Sequence, residues 1–277
     1  MTGPQASITI GIDPTIELGP VTLAWHGLTI AIGIAVGGIV AGRRVQRRGL
    51  PAEPLQVIFI ILVVSALIGS RIFYLAEHGQ LLEPSEWVGT HGFTFYGGLI
   101  AAALAIVAYV MRRRLSVAYL DAIALALPLG IAIGRIGDVI NGEHYGPETT
   151  FFLGVRNSHP EADVPRHDVA YHSGGLYEVI IGAVAFAIVW ALRDRVRRPT
   201  MMIWLVLGLL AAGRFIEFFA RSDSPTTALG LETAQWTSLL LIAIAFAGAV
   251  VAARVAARST ERRTATESLT DAAPYST

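Results

Sequence analysis

Seven apolar runs, each long enough to cross a lipid bilayer, take up most of this sequence and leave it few ways to fold. A helix of about 17 to 25 apolar residues spans the hydrocarbon. The runs cover Thr22 to Gly42, Leu55 to Ala76, Phe93 to Met111, Tyr119 to Ile140, Gly174 to Leu192, Met201 to Ala220 and Ala234 to Ala253. Lipid offers no hydrogen bonds to a backbone, so runs of this kind must satisfy their own amides as helices. The expectation is an all-α integral membrane protein with about seven transmembrane helices. Composition agrees: 15% of the residues are charged, against about 25% in soluble domains. The absence of cysteine excludes a disulfide framework, a thiolate nucleophile and a thiolate-bound metal. The absence of lysine excludes Schiff-base chemistry. A formal net charge of zero gives no sign of nucleic acid as a partner, and none is expected.

Arginine placement orients the chain. Arg43, Arg44, Arg47 and Arg48 follow the first run; Arg112, Arg113 and Arg114 follow the third. Arg193, Arg195, Arg197 and Arg198 follow the fifth, and Arg254, Arg258, Arg262 and Arg263 follow the seventh. Basic connections stay in the cytoplasm, so the N-terminus is expected outside and the C-terminus inside. No basic stretch precedes the first run, and no cleaved signal peptide is expected. Residues 1–254 read as one membrane domain and residues 255–277 as a disordered, polar cytoplasmic tail. The longest connection, residues 141 to 173, lies outside between helices 4 and 5; loops of that length are uncommon unless functional or disordered.

The remaining cations carry the chemical signal. Arg71, Arg135 and Arg214 fall near the outer ends of apolar runs, where a charge at mid-bilayer costs about 2.5–3.5 kcal/mol. Arg135 and Asp138 are three apart and share a helix face. Spacing alone leaves two readings open: a charge pair closing the helix end, or an anion site in which Arg135 forks onto phosphate oxygens. Arg214, Glu217 and Arg221 stack along one stripe of the sixth run, either as a self-satisfied ladder or as part of a site. Glu178 stands one turn inside the fifth run and needs an arginine from a neighbouring helix. His26 and Tyr96 open the first and third runs, where an aromatic or imidazole ring is often a headgroup anchor. All of these lie towards outer ends.

Residues 134 to 146 read Gly134-Arg135-Ile136-Gly137-Asp138-Val139-Ile140-Asn141-Gly142-Glu143-His144-Tyr145-Gly146. This stretch resembles the signature of the prolipoprotein diacylglyceryl transferase family of bacterial inner membranes, Gly-Arg-x-Gly-Asn-Phe-x-Asn-x-Glu-x-x-Gly. The likeness continues through Gly69-Ser70-Arg71, Tyr96-Gly97-Gly98-Leu99, His172 to Glu178, Arg214 to Asp223, and Ala234 to Leu239. It implies transfer of the diacylglyceryl group of phosphatidylglycerol to the lipobox cysteine thiol of prolipoproteins, with release of glycerol phosphate. The partners it implies are phosphatidylglycerol, lipobox segments and membrane lipid, at a site facing the extracytoplasmic leaflet of the plasma membrane. Neither a metal nor another cofactor is implied.

Residue by residue, the resemblance puts phosphate binding on Arg135 and Arg214, with Asp138, Asn141, Glu143 and Gly146 around the headgroup. His26 and Tyr96 are expected near the thiol, and Arg71, His172, Tyr177, Glu178, Glu217 and Arg221 as supporting partners. Several positions depart from the family pattern. Asp138 and Val139 replace Asn and Phe, Tyr96 replaces His, and His26 replaces Tyr; Arg214 and Glu217 are three apart rather than four. Relocation of the imidazole to His26 and the phenol to Tyr96 keeps both groups in the set. The departures also leave open a relative that binds phospholipid or lipoprotein without this turnover, or that uses another acceptor.

Overall fold

The computed structural model describes residues 7–87, 94–221 and 226–271. Its helices are α1 (Trp25–Arg47), α2 (Glu53–Glu77), α3 (Phe95–Arg112), α4 (Ala118–Asn141), α5 (Gly174–Leu192), α6 (Met201–Glu217) and α7 (Thr233–Asp271). Among the described residues, six helical stretches are long and apolar enough to cross a membrane; α3 contributes a shorter apolar stretch, Gly97–Arg112. The architecture is that of a multi-pass helical membrane protein. The first helix starts later than its apolar run, because Val21–Ala24 pair with Thr15–Leu18 as an antiparallel hairpin.

Short strands join the connections, which apolar periodicity does not reveal. In chain order they are β1 (Ile8–Ile10), β2 (Thr15–Leu18), β3 (Val21–Ala24), β4 (Tyr145–Glu148), β5 (Val155–Asn157) and β6 (Tyr171–Ser173). Four form a sheet of order β1-β5-β6-β4, with β1 parallel to β5 and the other pairs antiparallel. Runs of three or four residues carry too little alternation to read as strands.

The chain divides into two units, Met1–Gly37 with Ile123–Thr277, and Gly38–Ala122. In the second, α2 lies against α3 through small residues. A Cβ on Gly69 would sit 2.2 Å from the Ala101 Cβ and 2.6 Å from the Gly97 carbonyl oxygen. That proximity is what lets apolar helices gain packing contacts where lipid provides no hydrophobic drive. Tyr119 donates from its hydroxyl to the Pro51 carbonyl at 2.7 Å, tying the unit's two ends together.

In the first unit, Thr29 links α1 to α4. Its hydroxyl donates to the Gly134 carbonyl at 2.8 Å and accepts from the Gly137 amide at 3.2 Å. Gly137 allows this, since a Cβ there would stand 2.5 Å from the His26 Cα. Ala124, Leu125, Val189, Met202 and Val206 form a buried apolar cluster that binds α4, α5 and α6. The C-terminus of α4 is closed by Gly142 at φ +80°, the left-handed conformation that suits glycine. Asn157, buried on β5, donates to the Val139 and Ile140 carbonyls at 2.9 and 3.0 Å. The helix end that carries the signature is thereby fixed by the sheet.

Candidate active site

Charged residues and His26 from four helices of the first unit form one connected chain. His26 Nδ1, on the first turn of α1, lies 2.6 Å from Asp138 Oδ1 on the last turns of α4. The other Asp138 oxygen accepts from Arg135 Nη1, one turn earlier on the same helix. Arg135 Nε pairs with Glu178 Oε2 on α5. The second Glu178 oxygen accepts from Arg214 Nη1 on α6 and lies 3.6 Å from Arg221 Nη1. Arg221 donates to Glu217 at 2.7 Å. Asp138, Glu178, Glu217 and Arg221 are buried, whereas the side chains of Arg135 and Arg214 remain partly open.

Glu178 is thus the meeting point of Arg135 and Arg214. A guanidinium has five N–H donors. Arg135 pairs with carboxylates through Nη1 and Nε and Arg214 through Nη1, and neither Nη2 group donates a hydrogen bond among the described residues. The carboxylates hold these cations in place without using up their donors, and preorganised donors of this sort stabilise developing negative charge without reorganisation. Arg214 also lies over the Phe218 ring, 5.1 Å from its centroid, which restricts the guanidinium plane.

Asn141, the last residue of α4, and Glu143 just beyond it complete this end of the site. Asn141 donates to Glu143 Oε1 at 2.8 Å, and Glu143 Oε2 lies 3.4 Å from His26 Nδ1. The Asn141 side-chain oxygen is buried with no hydrogen-bond partner among the described residues. Trp25, preceding His26, donates its indole N–H to the Asp13 carbonyl at 2.9 Å. The Asp13 carboxylate accepts from the Thr15 amide at 2.8 Å and its hydroxyl at 3.0 Å, and the amide contact chiefly holds its pKa below the usual carboxylate range.

His26, Asp138 and Glu143 offer ligand atoms within 4.8 Å of one another, a spacing a divalent ion would tolerate. Arg135 on the far oxygen of Asp138 already supplies the positive charge there and opposes a dication. Among the described residues the set is joined by ion pairs and hydrogen bonds.

The family model described as prolipoprotein diacylglyceryl transferase matches residues 14–251. The chain belongs to the prolipoprotein diacylglyceryl transferase family. Its relatives include proteins named phosphatidylglycerol–prolipoprotein diacylglyceryl transferase. The Nitrosomonas europaea protein is 34% identical over 85% of this chain and 88% of its own length. The Rhodospirillum rubrum protein is 32% identical over 88% and 93%, and that of Erythrobacter litoralis 28% identical over 88% and 90%.

The residues singled out by family resemblance are distributed unevenly. His26, Arg135, Asp138, Asn141, Glu143, Glu178, Arg214, Glu217 and Arg221 come together in the network. Only half of the Arg214–Glu217–Arg221 ladder forms: Glu217 bonds Arg221, while Arg214 turns to Glu178 on the next helix. Gly146 sits on β4 against the 3-10 turn Phe218–Ala220, where a Cβ would meet the Ala220 carbonyl oxygen at 2.1 Å. His172 and Tyr177 pair with each other at 2.5 Å, between β6 and α5. Arg71, in the other unit, donates to the Glu86 carbonyl and lies 5.6 Å from the Tyr74 ring centroid. Tyr96 opens α3, and its side chain lies outside the described residues, as does Asp223. The family-based reading missed Thr29 and Asn157, whose roles are contacts between segments far apart in sequence. It also missed the meeting of His26 with Asp138.

Proposed function

We propose that this chain transfers the diacylglyceryl group of phosphatidylglycerol to the lipobox cysteine thiol of prolipoproteins, releasing glycerol phosphate. The observation that carries the proposal is the convergence of Arg135 and Arg214 on Glu178 with guanidinium donors to spare. A diester phosphate is recognised by donors of this fixed geometry. As the bond from glyceryl carbon to phosphate oxygen breaks, negative charge builds on the leaving phosphate, where the same donors stabilise it. Asn141 and Glu143 orient the headgroup from the end of α4. Glu143 orients Asn141, and Asp138 holds Arg135. His26 serves the thiol, because the thiolate is the nucleophile. Gly146 keeps β4 close to the 3-10 turn that follows α6; His172, Tyr177, Glu178, Glu217 and Arg221 support the site.

In the membrane, seven helices with α3 included place the N-terminus outside and the C-terminus in the cytoplasm. The arginine-rich connections support this orientation. Residues 141–173 then lie outside, and the site opens to the outer leaflet of the bacterial plasma membrane, where secreted prolipoproteins meet phosphatidylglycerol. Residues 1–254 form the membrane domain and 255–277 a cytoplasmic polar tail.

The test combines purified full-length protein, phosphatidylglycerol vesicles and a lipobox peptide. The expected result is a lipid-modified cysteine and one glycerol phosphate per modification. Lipid binding without glycerol phosphate release would replace the transferase with a binding relative.

A further inference from the structure

We infer that Asp138 is a positioning residue that sets the tautomer of His26, so that His26 Nε2 takes the proton of the acceptor thiol. This rests on the transferase reading and assigns the base that it leaves open. The geometry is specific. Asp138 is 1% exposed, and one of its oxygens is committed to Arg135, which keeps it a carboxylate and an acceptor only. Its other oxygen lies 2.6 Å from His26 Nδ1, so that nitrogen carries the hydrogen and the lone pair of the neutral ring falls on Nε2. The His26 side chain is 39% exposed, so the ring is anchored at one nitrogen while remaining accessible. Around the pair stand Arg135 on α4 and, on the following turn, Glu143 at 3.4 Å from His26 Nδ1 and His144 at 3.7 Å from Asp138 Oδ2.

The step balances without another reactant. The thiol proton passes to His26 Nε2, and the sulfur electron pair forms the bond to the glyceryl carbon. The carbon–oxygen bond to phosphate breaks, its pair leaving on the phosphate oxygen. The imidazolium returns its proton to the departing phosphate, and Asp138 remains ionised throughout.

Asp138→Asn tests this sharply, because an amide has one acceptor oxygen where two are used. Arg135 is donor-only and claims that oxygen, so the amide NH₂ faces His26 Nδ1. The ring must then accept at Nδ1 and carry its hydrogen at Nε2, which removes the base. Turnover should fall about a hundredfold, within the range of a positioned acid–base group, while the KM for phosphatidylglycerol moves little. The plateau of the pH–rate profile should give way to a rate rising about tenfold per pH unit, as hydroxide replaces the base.

Nitrogen-15 histidine spectra of the wild-type protein in nanodiscs, with His26 assigned by loss of its signal in His26→Gln, give a readout that needs neither activity nor a folded Asp138 variant. In spectra taken at a pH high enough to leave the ring neutral, protonation at Nδ1 is expected. A ring protonated at Nε2, or an Asp138→Asn protein with wild-type turnover, overturns the assignment and leaves the transferase reading standing. An Nδ1-protonated ring in a protein that modifies no peptide ends the base role together with that reading.

Discussion

The helix pair α2–α3 and the group α1–α4–α5–α6 solve the same problem, how to hold helices together in lipid, by different means. In the pair, glycine and alanine bring backbones together, and Gly69 leaves no room for a methyl group between them. In the group, glycine contacts such as Gly137 on His26 are supplemented by three buried carboxylates and the arginines they bind. Close packing alone suffices for association, so the charges of the second region are not needed for cohesion. Buried ion pairs add little net stability over apolar side chains, yet removing one partner costs about 3–5 kcal/mol. A region built this way has committed its charges to something other than stability, and mutations in the two regions should separate in kind.

The largest separation is expected at Arg135. Arg135→Ala should abolish diacylglyceryl transfer to a lipobox peptide, a loss of more than about a thousandfold, because charge on the leaving phosphate goes unanswered. Membrane insertion should persist, since the apolar length of α4 is unchanged. Arg135→Lys should restore little, as an ammonium cannot reach Asp138 and Glu178 and still present a fork to phosphate. Normal labelling of the peptide by either variant would remove Arg135 from the site.

How far the sequence announces this arrangement depends on the range of each contact. The apolar lengths of the helices and the facing of Arg135 and Asp138 follow from helix geometry and are legible. So is the need of Glu178 for an arginine, since a lone carboxylate in an apolar run must find a cation. Which arginine answers is not legible. Spacing allows Glu217 to accept from both Arg214 and Arg221, but the bond to Arg214 goes to Glu178, because α5 and α6 pack closely enough to compete. Nor does spacing bring His26 to Asp138: that depends on Gly137 letting α1 approach α4, and no period in either segment encodes it. The two positions each depart from the family pattern, and only the structure shows that the two departures meet.

A middle-sized effect of the opposite kind is expected at Gly69. Gly69→Ala places a methyl group against Ala101 and the Gly97 carbonyl, and backbone cannot yield as a side-chain tip does. Overpacking of this sort costs about 1–3 kcal/mol. Thermal unfolding in detergent should report the loss, with transfer reduced only in proportion to the folded fraction. A variant of normal stability would show that α2 and α3 separate readily at this point, and the contrast between the regions would weaken.

The smallest effect, and the finest test of the contrast, is expected at Asn157, which touches none of the charged groups. Its amide satisfies two carbonyls at the end of α4, so Asn157→Ala should cost about 1–2 kcal/mol, the scale of a lost cap. The consequence should fall on what that helix end presents. Asn141 and Glu143 follow at once, and the Asn141 carbonyl accepts from the Asp163 amide at 2.7 Å in the same closure. Loosening it should raise the KM for phosphatidylglycerol severalfold while kcat changes less, because Arg135 sits about a turn earlier on intact α4 and Glu178 is held on α5. Equal losses in kcat and KM terms would mean that the sheet supports the whole network and not its headgroup end alone. The division between cohesive and chemical contacts would then run through β5 rather than between the helices.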